Sequence, residues 1–144
     1  MAKFTVELGL PEMDRLWNDL LAKFEAGTLD GEERLLLKKL RKTILYLAEN
    51  PTHPGLSSHE IKPLSERYGK KVWQSYLENR TPAAGRLFWT YGPRKGVITI
   101  IGLEAHPESG KSRGYDRLRL SAMRASERGA SEEPPERDPR GKGK

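Results

Sequence analysis

Apolar residues recur at spacings of three and four in the first third of the chain, which predicts two amphipathic helices. The first covers about residues 11–26, because Pro11 suits a first helical turn and Gly27 ends the segment. The second begins at Asp30, which with Glu33 forms a capping-box pattern, and runs to about residue 49. The expected inward-facing residues are Met13, Leu16, Trp17, Leu20, Leu21 and Phe24 in the first helix and Leu36, Leu37, Leu40, Ile44, Leu47 and Ala48 in the second. Residues 3–8 alternate polar and apolar side chains, which predicts a short strand before this helical hairpin.

The pattern changes after residue 58, where short segments typical of strands follow one another. We predict strands over residues 59–64, 72–77, 86–91 and 97–103. The linker 92–96, with two glycines and a proline, indicates a hairpin, and the run 97–103 is apolar on both faces, as in an interior strand. Residues 115–120 fit a strand or a helix equally well.

These elements predict an α+β fold. An N-terminal strand and a two-helix hairpin, about residues 11–49, pack on a small antiparallel sheet, about residues 58–121. We expect one domain over residues 1–125. Residues 126–144 contain charged residues, glycine and proline but no large apolar residue, which predicts a disordered charged tail.

Composition limits the kinds of site and the cellular location that we expect. The 144 residues include no cysteine, which excludes disulfides and thiolate metal sites. The longest uncharged apolar run near the middle, residues 96–103, is far shorter than the about 20 residues that a membrane span needs, so we expect a cytoplasmic protein. The net charge of +6 is uneven: residues 1–49 carry −1, residues 50–104 carry +4 and residues 105–144 carry +3. This surplus suggests a surface for a polyanion in the second half, although an ordinary solvated surface would have the same charge.

Several motifs that could bind a ligand lack their required context. Residues 105–112 match a relaxed phosphate-loop pattern, but the strands before them look like a hairpin rather than a parallel pair, which favours a surface loop. His53, His59 and His106 match no standard metal-ligand spacing, and Ser57 and Ser58 beside His59 do not make a triad. We therefore expect neither a metal nor a small-molecule cofactor.

Basic residues at the strand ends are more informative. Lys62 lies in the first strand of this region, Arg67, Lys70 and Lys71 follow it, and Arg86 begins the next-but-one strand. His106 follows the last of these strands, so an antiparallel meander can bring several of these groups to one patch. Cleavage of RNA without a metal needs a group that takes the 2′-hydroxyl proton, a group that protonates the leaving 5′-oxygen, and cations for the phosphorane charge. Histidine and arginine suit these tasks, but Arg86 can equally be a salt-bridge partner, Lys62 a solvated side chain and His106 a strand end.

Aromatic residues are frequent in the same strands. Alternation puts Leu87, Trp89 and Tyr91 on one face of their strand and Arg86 and Phe88 on the other. Most of these rings belong in the core, and one or two beside the basic patch could stack on bases.

Four stretches, taken together, resemble the RelE/ParE superfamily of toxins from toxin–antitoxin systems. They are Pro-Gly-Leu-Ser-Ser-His-Glu-Ile-Lys-Pro-Leu at 54–64, Val-Trp-Gln-Ser at 72–75, Gly-Arg-Leu-Phe-Trp at 85–89 and the apolar run ending in His106. The resemblance covers about residues 50–121. It implies a ribosome-dependent endoribonuclease that cuts mRNA through 2′-hydroxyl attack, contacts ribosomal RNA and is neutralised by a cognate antitoxin protein.

The resemblance also assigns roles. It matches Arg86 to a phosphate-clamping arginine, His106 to the acid or base of the YoeB-like branch, Lys62 to a lysine-or-glutamate site and Tyr115 to a tyrosine near the C-terminus. Residues 107–114 separate His106 from Tyr115, which departs from the family pattern. We expect Arg67, Lys70, Lys71 and Arg113 to hold the RNA backbone. The ParE branch shares the fold but poisons DNA gyrase, so the alternative is a gyrase-binding toxin or a non-catalytic RNA-binding or protein-binding member of the fold.

Overall fold

The computed structural model describes residues 3–77, 85–104 and 118–124. In chain order the elements are β1 (Thr5–Leu8), α1 (Glu12–Ala26), α2 (Gly31–Glu49), a 3-10 turn (Pro54–Leu56), β2 (His59–Glu60), α3 (Lys62–Tyr68), β3 (Trp73–Tyr76), β4 (Arg86–Tyr91) and β5 (Val97–Glu104). This order confirms an α+β protein with an N-terminal strand and a helical hairpin. The predicted tail over residues 126–144 lies outside the described residues.

The helical hairpin follows from local sequence signals. The Asp30 carboxylate accepts a hydrogen bond from the Glu33 backbone N–H at 2.8 Å, and the Glu33 carboxylate accepts one from the Asp30 N–H at 3.0 Å. This capping box satisfies two backbone donors that would otherwise lack partners at the start of α2. Gly27 ends α1 in a left-handed conformation with φ of 71°, which glycine adopts without strain.

Within the described residues five strands form one sheet in the order β1-β5-β4-β3-β2. Strands β2 to β5 make the antiparallel meander that the sequence predicts, and β5 is an interior strand. The expectation of a purely antiparallel sheet is wrong, because β1 pairs with β5 in parallel, Thr5 opposite Val97. The helical hairpin lies between β1 and the meander in the chain, and long connections of this kind allow parallel pairing.

A third helix replaces most of the strand predicted over residues 59–64. β2 ends at Glu60, Ile61 is the N-cap of α3, and Pro63 occupies the first turn, where a missing N–H costs nothing. Gly69 ends α3 with φ of 87°. Lys62 is therefore the first residue of a helix and not a strand residue.

The two faces of the sheet carry separate apolar clusters. The face under the helical hairpin includes Leu87, Trp89 and Ile100, whereas the face under α3 includes Phe88 and Ile101. This confirms the alternation predicted for β4. We call the first the hairpin face and the second the α3 face.

Residues 118–124, here called the C-terminal strap, cross the α3 face. Leu118 and Leu120 pack on the cluster of Phe88 and Ile101, and the Ser121 N–H donates to the carbonyl of Ile101 at 2.7 Å. Residues 118–120 are neither strand nor helix, so for them neither alternative predicted over 115–120 holds; residues 115–117 lie outside the described part. Among the described residues no helix has both the length and the apolar character of a membrane span.

Candidate functional site

Four basic residues lie on α3 or directly after it, namely Lys62, predicted to be catalytic, and Arg67, Lys70 and Lys71, predicted to bind RNA; we call them the α3 surface. All four are exposed. A guanidinium N–H of Arg67 donates to the carbonyl of Leu118, so this arginine also holds the C-terminal strap. The α3 surface is compact because one short helix and the turn after it carry all four positive charges.

Lys70 lies in a confined part of this surface. Its Nζ is 3.3 Å from the position that a Cβ on Gly92 would take, and Met123 of the strap lies on the same glycine. Burial lowers the pKa of the Lys70 ammonium, because the surrounding protein removes part of its hydration. A phosphate placed there would restore an interaction that this charge has lost.

Arg86 lies toward the opposite end of the strands, at the start of β4. Its side chain is 8% exposed, and its Nε is 3.1 Å from Oε1 of Glu104 at the end of β5. The Nε–H does not point at the carboxylate, so among the described residues this buried donor has no hydrogen-bond acceptor. We interpret the contact as an ion pair held by charge, with one strong donor left unused. Buried donors without acceptors are rare in proteins, which makes this group a candidate for binding an anion.

Strand register places Arg86 in a row of polar side chains on the α3 face. Tyr76 on β3 lies opposite Arg86, and Arg86 lies opposite Glu104. One step away on β3, Gln74 lies opposite His59 of β2. Because strand residues alternate between faces, Gln74, Tyr76 and Arg86 share the face of Phe88. We call His59, Gln74, Tyr76, Arg86 and Glu104 the polar row.

His59 has hydrogen bonds that fix its tautomer. Its Nδ1 lies 2.9 Å from the carbonyl of Ser57, which can only accept a hydrogen bond, so Nδ1 carries the proton. In the neutral ring Nε2 then carries the lone pair, and it accepts a long hydrogen bond from the side-chain amide of Gln74 at 3.4 Å. The ring of His59 is exposed and lies edge-on to Tyr76 with 6.4 Å between ring centroids. The arrangement presents a possible proton acceptor beside the row of β3 and β4.

The structure does not bring Lys62 to Arg86. Lys62 lies beyond the end of the sheet where Glu60 pairs with Trp73, whereas Arg86 pairs with Tyr76 at the other end. The three steps from Trp73 to Tyr76 alone cover roughly 10 Å. The predicted single patch is thus two groups, the α3 surface and the polar row. His106, Arg113 and Tyr115 lie outside the described residues.

Sequence reasoning missed four members of the polar row. From the sequence, His59 is considered only as a candidate metal ligand or triad member, and Gln74, Tyr76 and Glu104 receive no role. The available signal was alternation, which puts Gln74 and Tyr76 on one face of their strand. Matching that face to Arg86 requires the register between β3 and β4, which alternation does not give.

The described residues contain no group of three or more acidic or histidine side chains that could hold a metal ion. Comparison with protein-family models, curated proteins and solved structures gives no match.

Proposed function

We propose that the protein is a cytoplasmic toxin of the RelE/ParE type that cleaves mRNA on the ribosome without a metal ion, with the polar row as its active site. The observation that carries this proposal is the Nε–H of Arg86, a buried donor without an acceptor among the described residues, on the strand next to Tyr76, whose ring contacts the exposed imidazole of His59. A phosphodiester at this place would give the Arg86 donor its acceptor. Positive charge there would stabilise the extra negative charge of the phosphorane.

The reaction needs one proton taken and one proton given. Nε2 of His59 takes the proton of the 2′-hydroxyl, and the 2′-oxygen forms a bond to phosphorus. The bond from phosphorus to the 5′-oxygen breaks, and a general acid protonates that oxygen, leaving a 2′,3′-cyclic phosphate and a 5′-hydroxyl. We assign the acid to His106, which follows Glu104 by two residues in the sequence.

The α3 surface supplies binding rather than chemistry in this proposal. Its four charges lie on the same side of the sheet as the polar row but toward the other end of the strands. They fit the backbone of the same RNA or of ribosomal RNA. Such contacts weaken as the salt concentration rises, because the release of counterions from the RNA on binding becomes less favourable. Lys62 is then an RNA-backbone contact, not a catalytic base partner.

The test compares two variants on ribosomes programmed with a defined mRNA. Each reaction is run with and without a chelator, at a concentration that leaves the ribosome the divalent ions that it needs. His59→Gln keeps a polar side chain at an exposed position, and we expect cleavage to fall at least about 100-fold, since general base catalysis contributes that much or more. Lys62→Gln is the matched control from the α3 surface. We expect its cleavage rate at saturating substrate to stay near wild type, with weaker binding and a salt dependence reduced by about one unit of slope.

Mapping 5′ ends of the fragments gives the readout. Cuts in phase with codons that need His59 support the proposal. Equal cleavage by wild type and His59→Gln would remove the polar row from the chemistry, and a total loss in Lys62→Gln at saturation would return the active site to the α3 end.

A second candidate is a non-catalytic toxin that binds gyrase. It is favoured by the burial of Arg86 against Glu104, since an arginine held by a carboxylate is also a common structural element. Expression of the chain in cells separates the two functions. Intact transcripts with induction of the DNA-damage response support gyrase poisoning, and codon-phased cuts without that response support the nuclease.

A further inference from the structure

A cavity of about 220 Å³ lies between α2, the 3-10 turn and the end of β3. Its lining includes the buried Leu56 and Leu77 and the aromatic residues Tyr46, His53 and Tyr76. Apolar and aromatic side chains form the lining that a flat, partly polar ring prefers. We call this space the α2 cavity.

Two of its rings are already arranged in parallel. Tyr46 and His53 stack with 4.6 Å between centroids and 10° between planes. Nδ1 of His53 accepts a hydrogen bond from the backbone N–H of Gly55 at 2.9 Å, which holds the ring and leaves the neutral-state proton on Nε2. The cavity therefore offers an oriented aromatic surface together with an N–H donor, without a rearrangement of the protein.

A positive charge lies at the same place. Nζ of Lys42 is 5.9 Å from the centroid of the Tyr46 ring, and Lys42 lines the cavity. An aromatic surface with a nearby cation is the combination that binds a nucleobase and its attached phosphate.

Tyr76 connects the α2 cavity to the polar row. It lines the cavity, its ring lies edge-on to His59, and on β3 it pairs with Arg86. Tyr76 is thus common to the lining of the cavity and to the polar row.

We infer that the α2 cavity is a nucleobase subsite that takes the base of a nucleotide adjacent to the phosphate at the polar row. The inference rests on the proposed nuclease function for its place in the reaction, but the binding itself can be measured without any cleavage. Stacking on the face of the His53 ring that Tyr46 leaves uncovered accepts every base, and the Nε2–H of His53 would favour bases with an acceptor on the exposed edge.

The test uses the full chain and AMP, GMP, CMP and UMP as separate probes, with ribose 5-phosphate as the probe that has a phosphate but no base. Binding is followed by saturation-transfer NMR and titration of the His53 ring proton signals. We expect at least one nucleotide to bind clearly tighter than ribose 5-phosphate and to shift the His53 signals. Tyr46→Leu should weaken that nucleotide about tenfold, because His53 loses the ring that orients it for stacking on the base, while Tyr46→Phe keeps the affinity near wild type.

Leu45→Ala is the matched control on the same helix, because Leu45 is 64% exposed and does not line the cavity. Its affinity should equal wild type, and thermal unfolding of all variants shows that each is folded under the titration conditions. Equal binding of ribose 5-phosphate and of every nucleotide overturns the inference even if the protein cleaves RNA. Nucleotide binding that depends on Tyr46, in a protein whose RNA cleavage does not depend on His59, supports the subsite and contradicts the proposed active site instead.

Discussion

A charged group that loses hydration on folding destabilises the folded state, and Lys70 is the clearest example among the described residues. Its ammonium lies against Gly92 and the strap residue Met123, and the described residues give it no carboxylate partner. Such a group weakens the fold while it strengthens the attraction of the surface for polyanions. Stability and binding therefore oppose each other at this position.

We predict that Lys70→Met raises the free energy of unfolding at pH 7 and weakens RNA binding. The lysine pKa is lowered in the folded state, so below that pKa both states carry the charge and the folded state bears the cost of its partly lost hydration. Between the folded pKa and 10.5 the unfolded chain binds more protons, and the stability of wild type rises with pH. The advantage of the methionine should thus disappear as pH rises above 10.5.

Urea unfolding of both proteins at neutral and at alkaline pH measures this difference. Lys71→Met is the control, since Lys71 is the adjacent exposed lysine. A constant advantage of Lys70→Met at every pH would show that packing, rather than charge, is responsible.

At the scale of elements, the helical hairpin is stabilised by its capping box. Glu33 also forms an ion pair with Lys23 of α1 at 2.5 Å, so one side chain connects the start of α2 to the end of α1. Both groups are exposed, and we attribute little stability to the ion pair itself. The backbone N–H of Glu33, in contrast, loses its acceptor when Asp30 is removed.

We predict that Asp30→Ala lowers the free energy of unfolding by about 1 kcal/mol, the usual cost of losing an N-cap. Glu32→Ala is the control: Glu32 is an exposed acid in the same helical turn and takes no part in the capping box. Thermal unfolding followed by circular dichroism measures both. Equal losses in the two variants would assign the effect to the helix dipole instead of the cap.

The elements that depend on such local signals are also the ones that the sequence predicts. The bounds of α1, α2 and β4 follow from apolar spacing, from Asp30 with Glu33, and from the glycine that ends a segment. α3 was missed because a helix of seven residues gives too few positions to distinguish period 3.6 from period 2, and its packing on Phe88 depends on distant residues. Parallel pairing of β1 with β5 is likewise set by contacts far apart in the chain.

The candidate site was predictable to a similar extent. The sequence indicated Arg86 and the face of β4 on which it lies, and the structure adds Glu104 as its ion-pair partner. Charge and motif order suggested that Lys62 and Arg86 meet, but strand register separates them. Proximity between side chains on different strands is a property of register, which no single strand encodes.

For the molecule as a whole, the C-terminal strap joins three elements. The Ser121 hydroxyl accepts from the N–H of Met13 in α1 at 3.2 Å, its carbonyl accepts from the hydroxyl of Tyr68 in α3 at 2.9 Å, and its N–H binds β5. Burial raises the pKa of the Tyr68 phenol, which keeps this donor protonated. Gly9 allows the approach, because a Cβ there would lie 2.7 Å from the Cβ of Ser121.

We predict that a chain ending at residue 117 is less stable than wild type by about 3 kcal/mol, since it loses the apolar contacts of Leu118 and Leu120 as well as the bonds of Ser121. A chain ending at Arg124 keeps the whole strap and should unfold at the wild-type urea concentration. Loss of stability in both chains to the same degree would place the stabilising contacts beyond the strap.

The pairing of Thr5 with Val97 has a consequence for synthesis. β1 leaves the ribosome first, yet its partner follows 92 residues later, which takes roughly 5 to 18 seconds at usual rates of translation. The helical hairpin can form during this delay from contacts between neighbours, while the sheet cannot close. Since β5 also supplies Glu104 of the polar row, a nascent chain carries the complete row only after β5 has been synthesised.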